Sequence, residues 1–278
     1  MGTSLNNVSY YIYKVNEYYN KEITNYYAIF DKSPFTQGEF RYFYKGEIRD
    51  ENKKLSKPDI FPSGKCVIKV MRKKTAYDFS DFKKDFRNLF YSAQVSKDFN
   101  SYYNYKCPEL HFIKPYAAKI CYHGSFELFD LITIKDSDSM NKIKESEWIA
   151  IEPFIDGEYE VIVSNTYWTN KYIDETIPFF MHWNWVNTKG EKLVSDIQGV
   201  RREKYYELID PAVQGINQEY GDGDLGCFGL IAFLIRHKHN KYCKDLPWPE
   251  ESEIKRYFFN ISLMEMRRTI FVNELKRK

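Results

Sequence analysis

The amino-acid sequence predicts an α+β fold in two lobes, on three observations. The first half alternates as strands do, around one amphipathic helix. A strand closed by a proline, Trp148 to Phe154, stands near the middle. The second half carries the chain's most apolar helix, followed by a His/Cys cluster. The length permits this: 278 residues and 33.4 kDa make one large domain or two lobes, each long enough to bury a core.

Taken in order, Phe35 to Tyr44 alternates bulky and polar residues beyond Gly38, and the turn pair Lys45-Gly46 follows. Cys66 to Met71 is a second strand in which Lys69 interrupts an apolar run. Phe79, Phe82, Phe86, Leu89 and Ala93 recur at helical steps, which predicts an amphipathic helix from Asp78 to about Asn100. His111 to Leu131 is strand-rich, and the polar stretch from Lys135 to Glu147 suits a surface loop or short helix. Trp148 to Phe154 is a strand stopped by Pro153, the candidate hinge between lobes. Further on, Lys192 to Val200 alternates as one strand, and Leu225 to about His237 is an apolar helix. Glu250 to Lys278 is charged, with an apolar face through Tyr257, Ile261, Met264 and Met266. That tail is expected to be a helical extension packed on the body.

Composition removes several functions. With 41 Lys+Arg against 39 Asp+Glu the formal net charge is +2, and no basic stripe marks a nucleic-acid partner. The longest nearly unbroken apolar run, Cys227 to Ile235, is far too short for a membrane span. Met1-Gly2 is followed by Asn6 where myristoylation needs Ser or Thr, and no secretory leader is legible. Five cysteines, odd in number and widely spaced, fit reduced thiols or a metal ligand in a cytoplasmic protein. The aromatics (24 Tyr, 21 Phe, 5 Trp) are spread along the chain, which suits a core filled with large rings better than a base-stacking platform.

Four local patterns carry chemistry. In Val194-Ser195-Asp196-Ile197-Gln198-Gly199, strand alternation would place Asp196 and Gln198 on one face; the pair can hold a hydroxyl and a metal ion, or be a solvated strand end. Asp210-Pro211 is either a metal-binding carboxylate or an ordinary helix start, Asp at the cap and Pro at the first position. Gly221 to Gly226 has G-x-G-x-x-G form and can aim backbone N–H groups at an anion. Neither the preceding strand nor the later acidic residue of a dinucleotide fold accompanies it. In His237-x-His239-Asn240-x-x-Cys243, His239 and Cys243 would share a helix face, and zinc or unliganded surface histidines both explain the cluster.

In order and in nearly all spacings, His182, Asp196-Ile197-Gln198-Gly199-Val200, Asp210-Pro211, Gly221 to Gly226 and His237-x-His239-Asn240-x-x-Cys243 resemble the catalytic core of the alpha-kinases, atypical protein kinases that include elongation factor 2 kinase and the myosin heavy chain kinases. Pro34-Phe35-x-x-Gly38-x-x-Arg41, Val67-Ile68-Lys69 and Glu152-Pro153-Phe154-Ile155-x-Gly157 resemble the family's entry strands, lysine strand and hinge. The resemblance implies a two-lobed protein-kinase-like fold of the alpha-kinase type with a zinc-stabilised C-lobe. Its divisions would be an N-terminal extension over 1–27, an N-lobe over 28–151, a C-lobe over 152–248 and a C-terminal helical extension over 249–278. It implies an ATP-dependent transfer of phosphate to protein Ser/Thr, with ATP, Mg2+ and Zn2+ as cofactors and a protein substrate as partner. Arg41 and Lys69 would contact phosphates, Glu152 adenine, and Gln198 and Asp210 magnesium. Asp196 would address the substrate hydroxyl, and Asp224 would add charge near the metal. His182, His237, His239 and Cys243 would hold zinc. Relative to the family pattern, His239 replaces a cysteine, Asp224 an asparagine and Val161 a lysine, and the loop from Asp196 to Asp210 is about four residues longer. A catalytically inactive scaffold of the same fold, or a kinase with a small-molecule acceptor, is the alternative.

Overall fold

The computed structural model describes residues 9–15, 20–30, 34–37, 41–52, 54–71, 79–103, 106–121, 148–169, 174–221 and 223–275. The chain divides into two compact units, 1–86 with 113–156, and 87–112 with 157–278. Both the strands and the helices of the predicted α+β class are present.

The first unit is built on strands β1 (Ser9–Val15), β2 (Lys21–Phe30), β3 (Thr36–Gln37), β4 (Arg41–Arg49), β5 (Lys65–Met71), β7 (Tyr116–Cys121) and β8 (Trp148–Pro153). They pair antiparallel in the order β2-β1-β7-β8-β5-β4-β3, and β2 also pairs with β4, so six strands close in a ring. Ring closure removes exposed edges. Its interior is apolar: Ile12, Ala28, Tyr44, Ile48, Phe61, Ile68 and Ile151 are sealed from water. The sequence expectation set residues 1–27 outside this lobe as an extension. The structure places β1 between β2 and β7, an integral part of the ring. The physical reason is that Tyr10, Tyr11, Ile12 and Tyr13 supply strand-forming side chains that short-range polarity around Asn16 to Asn20 disguises.

The second unit has a four-stranded sheet and a two-stranded one. In the first, β6 (Glu109–Phe112), β12 (Tyr205–Ile209), β11 (Ile197–Arg201) and β9 (Tyr159–Val163) lie in the order β6-β12-β11-β9. In the second, β10 (Lys192–Ser195) pairs with β13 (Ala212–Gly215). Four helices accompany them: α1 (Phe79–Tyr103), whose later part from Arg87 belongs here, α2 (Thr176–Asn187), α3 (Cys227–Arg236) and α4 (Glu251–Leu275). The expected N-lobe thus cedes most of its helix and β6 to the second unit. The cause is packing: Phe99 of α1 meets Phe179, Phe180 and Trp183 of α2 edge-on at 5.1, 5.3 and 5.5 Å. Such rings, fully buried, contribute roughly 1.5–3 kcal/mol each, and aromatic geometry adds about 0.5–1.5 per pair. The tail folds as expected: Tyr257 of α4 is wholly buried, and its hydroxyl donates to Gly190 O at 2.7 Å. Asp78, His123, the 122–147 stretch, Asp222 and the side chains of Met264 and Met266 lie outside the described residues. No described helix is long and apolar enough to cross a membrane.

The expected single strand from Lys192 to Val200 is two. Asp196 has φ +51° and breaks the pleat, so β10 and β11 enter different sheets. Gly199 has φ +154°, and a Cβ there would lie 2.0 Å from Glu207 O on β12. Only glycine lets β11 pair so closely. Gly199→Ala is therefore expected to destabilise the fold by more than about 4 kcal/mol, a loss checked by urea unfolding of the two proteins.

Candidate functional site

In the first unit, β4 and β5 pair with Lys69 opposite Phe43 and Arg41 opposite Met71, so the two cations stand on adjoining strands. Lys69 is buried and its Nζ lies 2.7 Å from Glu152 Oε2 on β8; the two side chains are 1% and 4% exposed. Burying an ammonium is tolerable only beside a countercharge. The Glu152 carboxylate, expected at adenine, lies as a countercharge against the buried Lys69 side chain.

In the second unit the sequence-picked acids converge. Gln198 pairs with Ile209 across β11 and β12, which brings Asp210, at the end of β12, alongside the turn at Asp196. Asp210 also has left-handed backbone, φ +48°. Asp and Asn tolerate that region better than most residues, and such conformations gather at functional sites. Asp210 does not cap a helix, because β13 begins at Ala212. Burial raises the Asp196 carboxyl to about 6, and the Asp210 charge adds to the rise. Among the described residues no hydrogen bond reaches the Asp196 carboxylate. Two acids held against one another, with one lacking donors, form a site that a cation stabilises. Gln198 Oε1 accepts from the Tyr159 hydroxyl at 2.7 Å, which fixes the amide beside them. Val161, opposite Gln198 in the β9–β11 register, is an exposed apolar neighbour.

The glycine segment does hold an anion, but the anion is the chain's own. Asp224 Oδ1 accepts from Gly215 N at 2.9 Å and Gly226 N at 2.8 Å, and Oδ2 from Tyr220 N at 3.1 Å. Asp224, expected to add charge near the metal, is thus held by three backbone donors. Burial still raises its pKa, and those donors work against the rise. Buried Gln214 completes the clamp, donating to Ser195 Oγ at 2.7 Å and Gly223 O at 3.1 Å, and accepting from Leu225 N at 2.6 Å.

His182, on α2, meets His237, His239 and Cys243, which follow α3. His182, His239 and Cys243 have ligand atoms within 4.8 Å of one another, and Cys243 Sγ is 3.6 Å from His237 Nε2. That separation is the edge of a tetrahedron with metal bonds of about 2.0–2.3 Å. The expected helical i,i+4 spacing is absent, since α3 stops at Arg236. The chain instead turns back so that Asn240 N donates to Cys243 Sγ at 3.3 Å. Each imidazole has its outer nitrogen engaged: His182 Nε2 donates to Pro247 O at 3.0 Å, His239 Nδ1 to Cys243 O at 3.0 Å, and His237 Nδ1 meets the Tyr167 hydroxyl at 3.0 Å. His182 Nδ1 is buried without a partner. An orphaned imidazole nitrogen aimed at two further imidazoles and a thiol fits a tetrahedral metal. Burial lowers His182 to about 4 and His237 to about 3, which leaves both neutral at pH 7 with lone pairs available, and it raises the Cys243 thiol.

Sequence reading missed Tyr159, Asn165, Tyr167, Gln214 and Trp248 as site residues. Trp248 stacks on His237 at 5.7 Å and 18°, and its flanking prolines, Pro247 and Pro249, were the available signal. The others act through tertiary contacts that no local pattern encodes. From the buried ion pair follows a test: Glu152→Gln, which leaves the Lys69 ammonium without its countercharge, is expected to cost about 3–5 kcal/mol. The double variant Lys69→Met/Glu152→Gln should recover much of that, as read by denaturant midpoints.

A sequence model of the alpha-kinase family matches residues 36–243. Alpha-protein kinase vwkA of Dictyostelium discoideum is 38% identical over 110 residues, 38% of this chain and 18% of that protein. The chain spans less than a fifth of the length of the curated relatives it matches. A novel alpha kinase from Entamoeba histolytica superposes with a TM-score of 0.68 at 21% identity, over 91% of this chain and 94% of that one. The alpha-kinase domain of myosin heavy chain kinase A in complex with ADP gives 0.60 at 19% identity, over 85% and 95%. These likenesses show the fold, and the family match runs from β3 through both sets of sequence-picked residues to Cys243: the chain belongs to the alpha-kinase family.

Proposed function

We propose that the protein is an ATP- and magnesium-dependent kinase that phosphorylates Ser/Thr hydroxyls of a protein substrate in the cytoplasm. The observation that carries this reading is the pairing of Asp196 with Asp210 beside Gln198, on strand ends that their own turns hold in place. In the reading, Lys69 and Arg41 bind phosphate oxygens, and Asp210 and Gln198 present oxygen ligands suited to magnesium. Magnesium, when bound, offsets negative charge on the phosphates. Asp196 accepts a hydrogen bond from the substrate hydroxyl and takes its proton, a role that suits a carboxylate with no other donor. Because Glu152 neutralises Lys69, that cation is held in place before nucleotide binds. Zinc at His182, His237, His239 and Cys243 would tie α2 to the segment after α3, contributing folding free energy and no step of the reaction.

A catalytically silent scaffold is the second reading, and Val161 favours it, because it places an apolar side chain beside Gln198. Incubation with labelled ATP, magnesium and a generic basic protein separates the two. Transfer, or autophosphorylation, is expected, and Asp196→Asn should lower turnover by about 10²–10⁴-fold while nucleotide affinity stays within a few-fold. No transfer by folded protein would favour the scaffold.

Elemental analysis is expected to find one zinc per chain. His182→Ala or Cys243→Ala should then lower the melting temperature by on the order of 10 °C. Folded, active protein with far less than one zinc would remove the metal assignment.

A further inference from the structure

One short loop touches both the His/Cys cluster and the end of β10, next to Asp196. After β9 the chain turns at Ser164 to Trp168. Ser164 N donates to Trp168 O at 2.9 Å, Tyr167 N to Ser164 O at 3.0 Å, and Trp168 N to Ser164 Oγ at 3.0 Å. At its centre Tyr167 adopts φ +60°, a left-handed backbone that a bulky aromatic residue rarely takes. The strained residue is also the one driven inward: its ring packs edge-on against Phe233 at 5.3 Å, and its hydroxyl meets His237 Nδ1 at 3.0 Å. Two residues earlier, Asn165 Oδ1 accepts from Gln214 Nε2 at 3.3 Å and from Ser195 Oγ at 3.4 Å, and Ser195 directly precedes Asp196. On the cluster side, Arg236 donates to Thr166 O at 3.2 Å.

We propose that Tyr167 is a positioning residue that couples the metal cluster to the acid pair: its hydroxyl orients His237 for metal binding, and the filled cluster in turn holds the loop so that Asn165 supports Ser195 and Gln214 behind Asp196. The proposal rests on the zinc reading. Its chemistry is that of an outer-sphere partner: an imidazole that binds metal through Nε2 carries a proton on Nδ1, and the Tyr167 oxygen is the acceptor placed for it. Strain at Tyr167 follows, because the left-handed turn brings this hydroxyl to His237 while keeping Asn165 directed to the strands.

Two measurements on the full chain test it. Zinc release to a colorimetric chelator should be faster in Tyr167→Phe, which keeps the ring and loses only the hydroxyl, with an affinity loss of about 10–100-fold. Hydrogen exchange of the wild-type protein, with zinc and after chelation, requires no variant. Chelation is expected to speed exchange in 163–169 and in 193–198 while leaving β6 and β12 slow. Tyr167→Phe releasing zinc at the wild-type rate, or chelation that leaves 193–198 unchanged, would overturn the coupling with the zinc site intact. Folded protein that neither contains nor takes up zinc would overturn the zinc reading itself, and the coupling with it.

Discussion

Asn184 ties the second unit together. Buried on α2, it accepts from Val194 N at 2.7 Å and donates to the Tyr91 hydroxyl at 3.0 Å, so one amide joins α1, α2 and β10. Val194 N sits in a region closed to water, and leaving it unmet would cost about 1–3 kcal/mol. The consequence is positional. Two residues before Asn184 on the same helix is His182, and two residues after Val194, just past the end of β10, is Asp196. A single satisfied hydrogen bond therefore fixes the segment bearing His182 and the segment leading to Asp196 to one another.

Rigidity matters because the acid-bearing turns are strained. Asp196 and Asp210 both have left-handed backbone, and Gly199 approaches Glu207 more closely than any Cβ allows. A carboxylate in a regular strand would stand perpendicular to the sheet, on the face opposite its sequence neighbours. The break at Asp196 separates it from β10 and β11 and turns it toward Asp210, whose charge helps raise its pKa. Such conformations persist where the surroundings over-determine them, and here the surroundings are the bond from Val194 of β10 to Asn184 of α2, the β11–β12 pairing and the Gln214 clamp on Ser195.

The legible parts of the sequence were those with local periodicity or rigid spacing. β4, β5, β8, α1 and α3 follow from alternation or helical recurrence, and the acids and the His/Cys cluster follow from motif spacing. What stayed hidden has a common cause, namely that tertiary burial erased the amphipathic signal. α2, Thr176-Ile-Pro-Phe-Phe-Met-His-Trp-Asn-Trp-Val-Asn, is buried on nearly every side and shows no polar face. β1 and β2 are rich in Tyr and polar residues, so their apolar alternation is weak. The sharp break at Asp196 left no mark either, since its flanking residues alternate as one strand would.

Charge satisfaction separates the carboxylates that hold the fold from those placed to act. Glu152 is matched by Lys69, and Asp224 by three backbone N–H groups; neither would gain from an added cation, and adding one would disturb partners already in place. Asp196 differs. It is half-buried, no donor among the described residues reaches it, and the charge set against it is another carboxylate. Folding alone leaves that arrangement unfavourable, and what relieves it is an incoming cation or a hydroxyl donor. The resemblance to the family implied a hydroxyl-directed Asp196, a magnesium-binding Asp210 and an Asp224 adding charge near the metal. Their hydrogen bonds separate them: Asp224 is held by three backbone N–H groups, whereas Asp196 lies against the Asp210 charge with its carboxyl raised by burial.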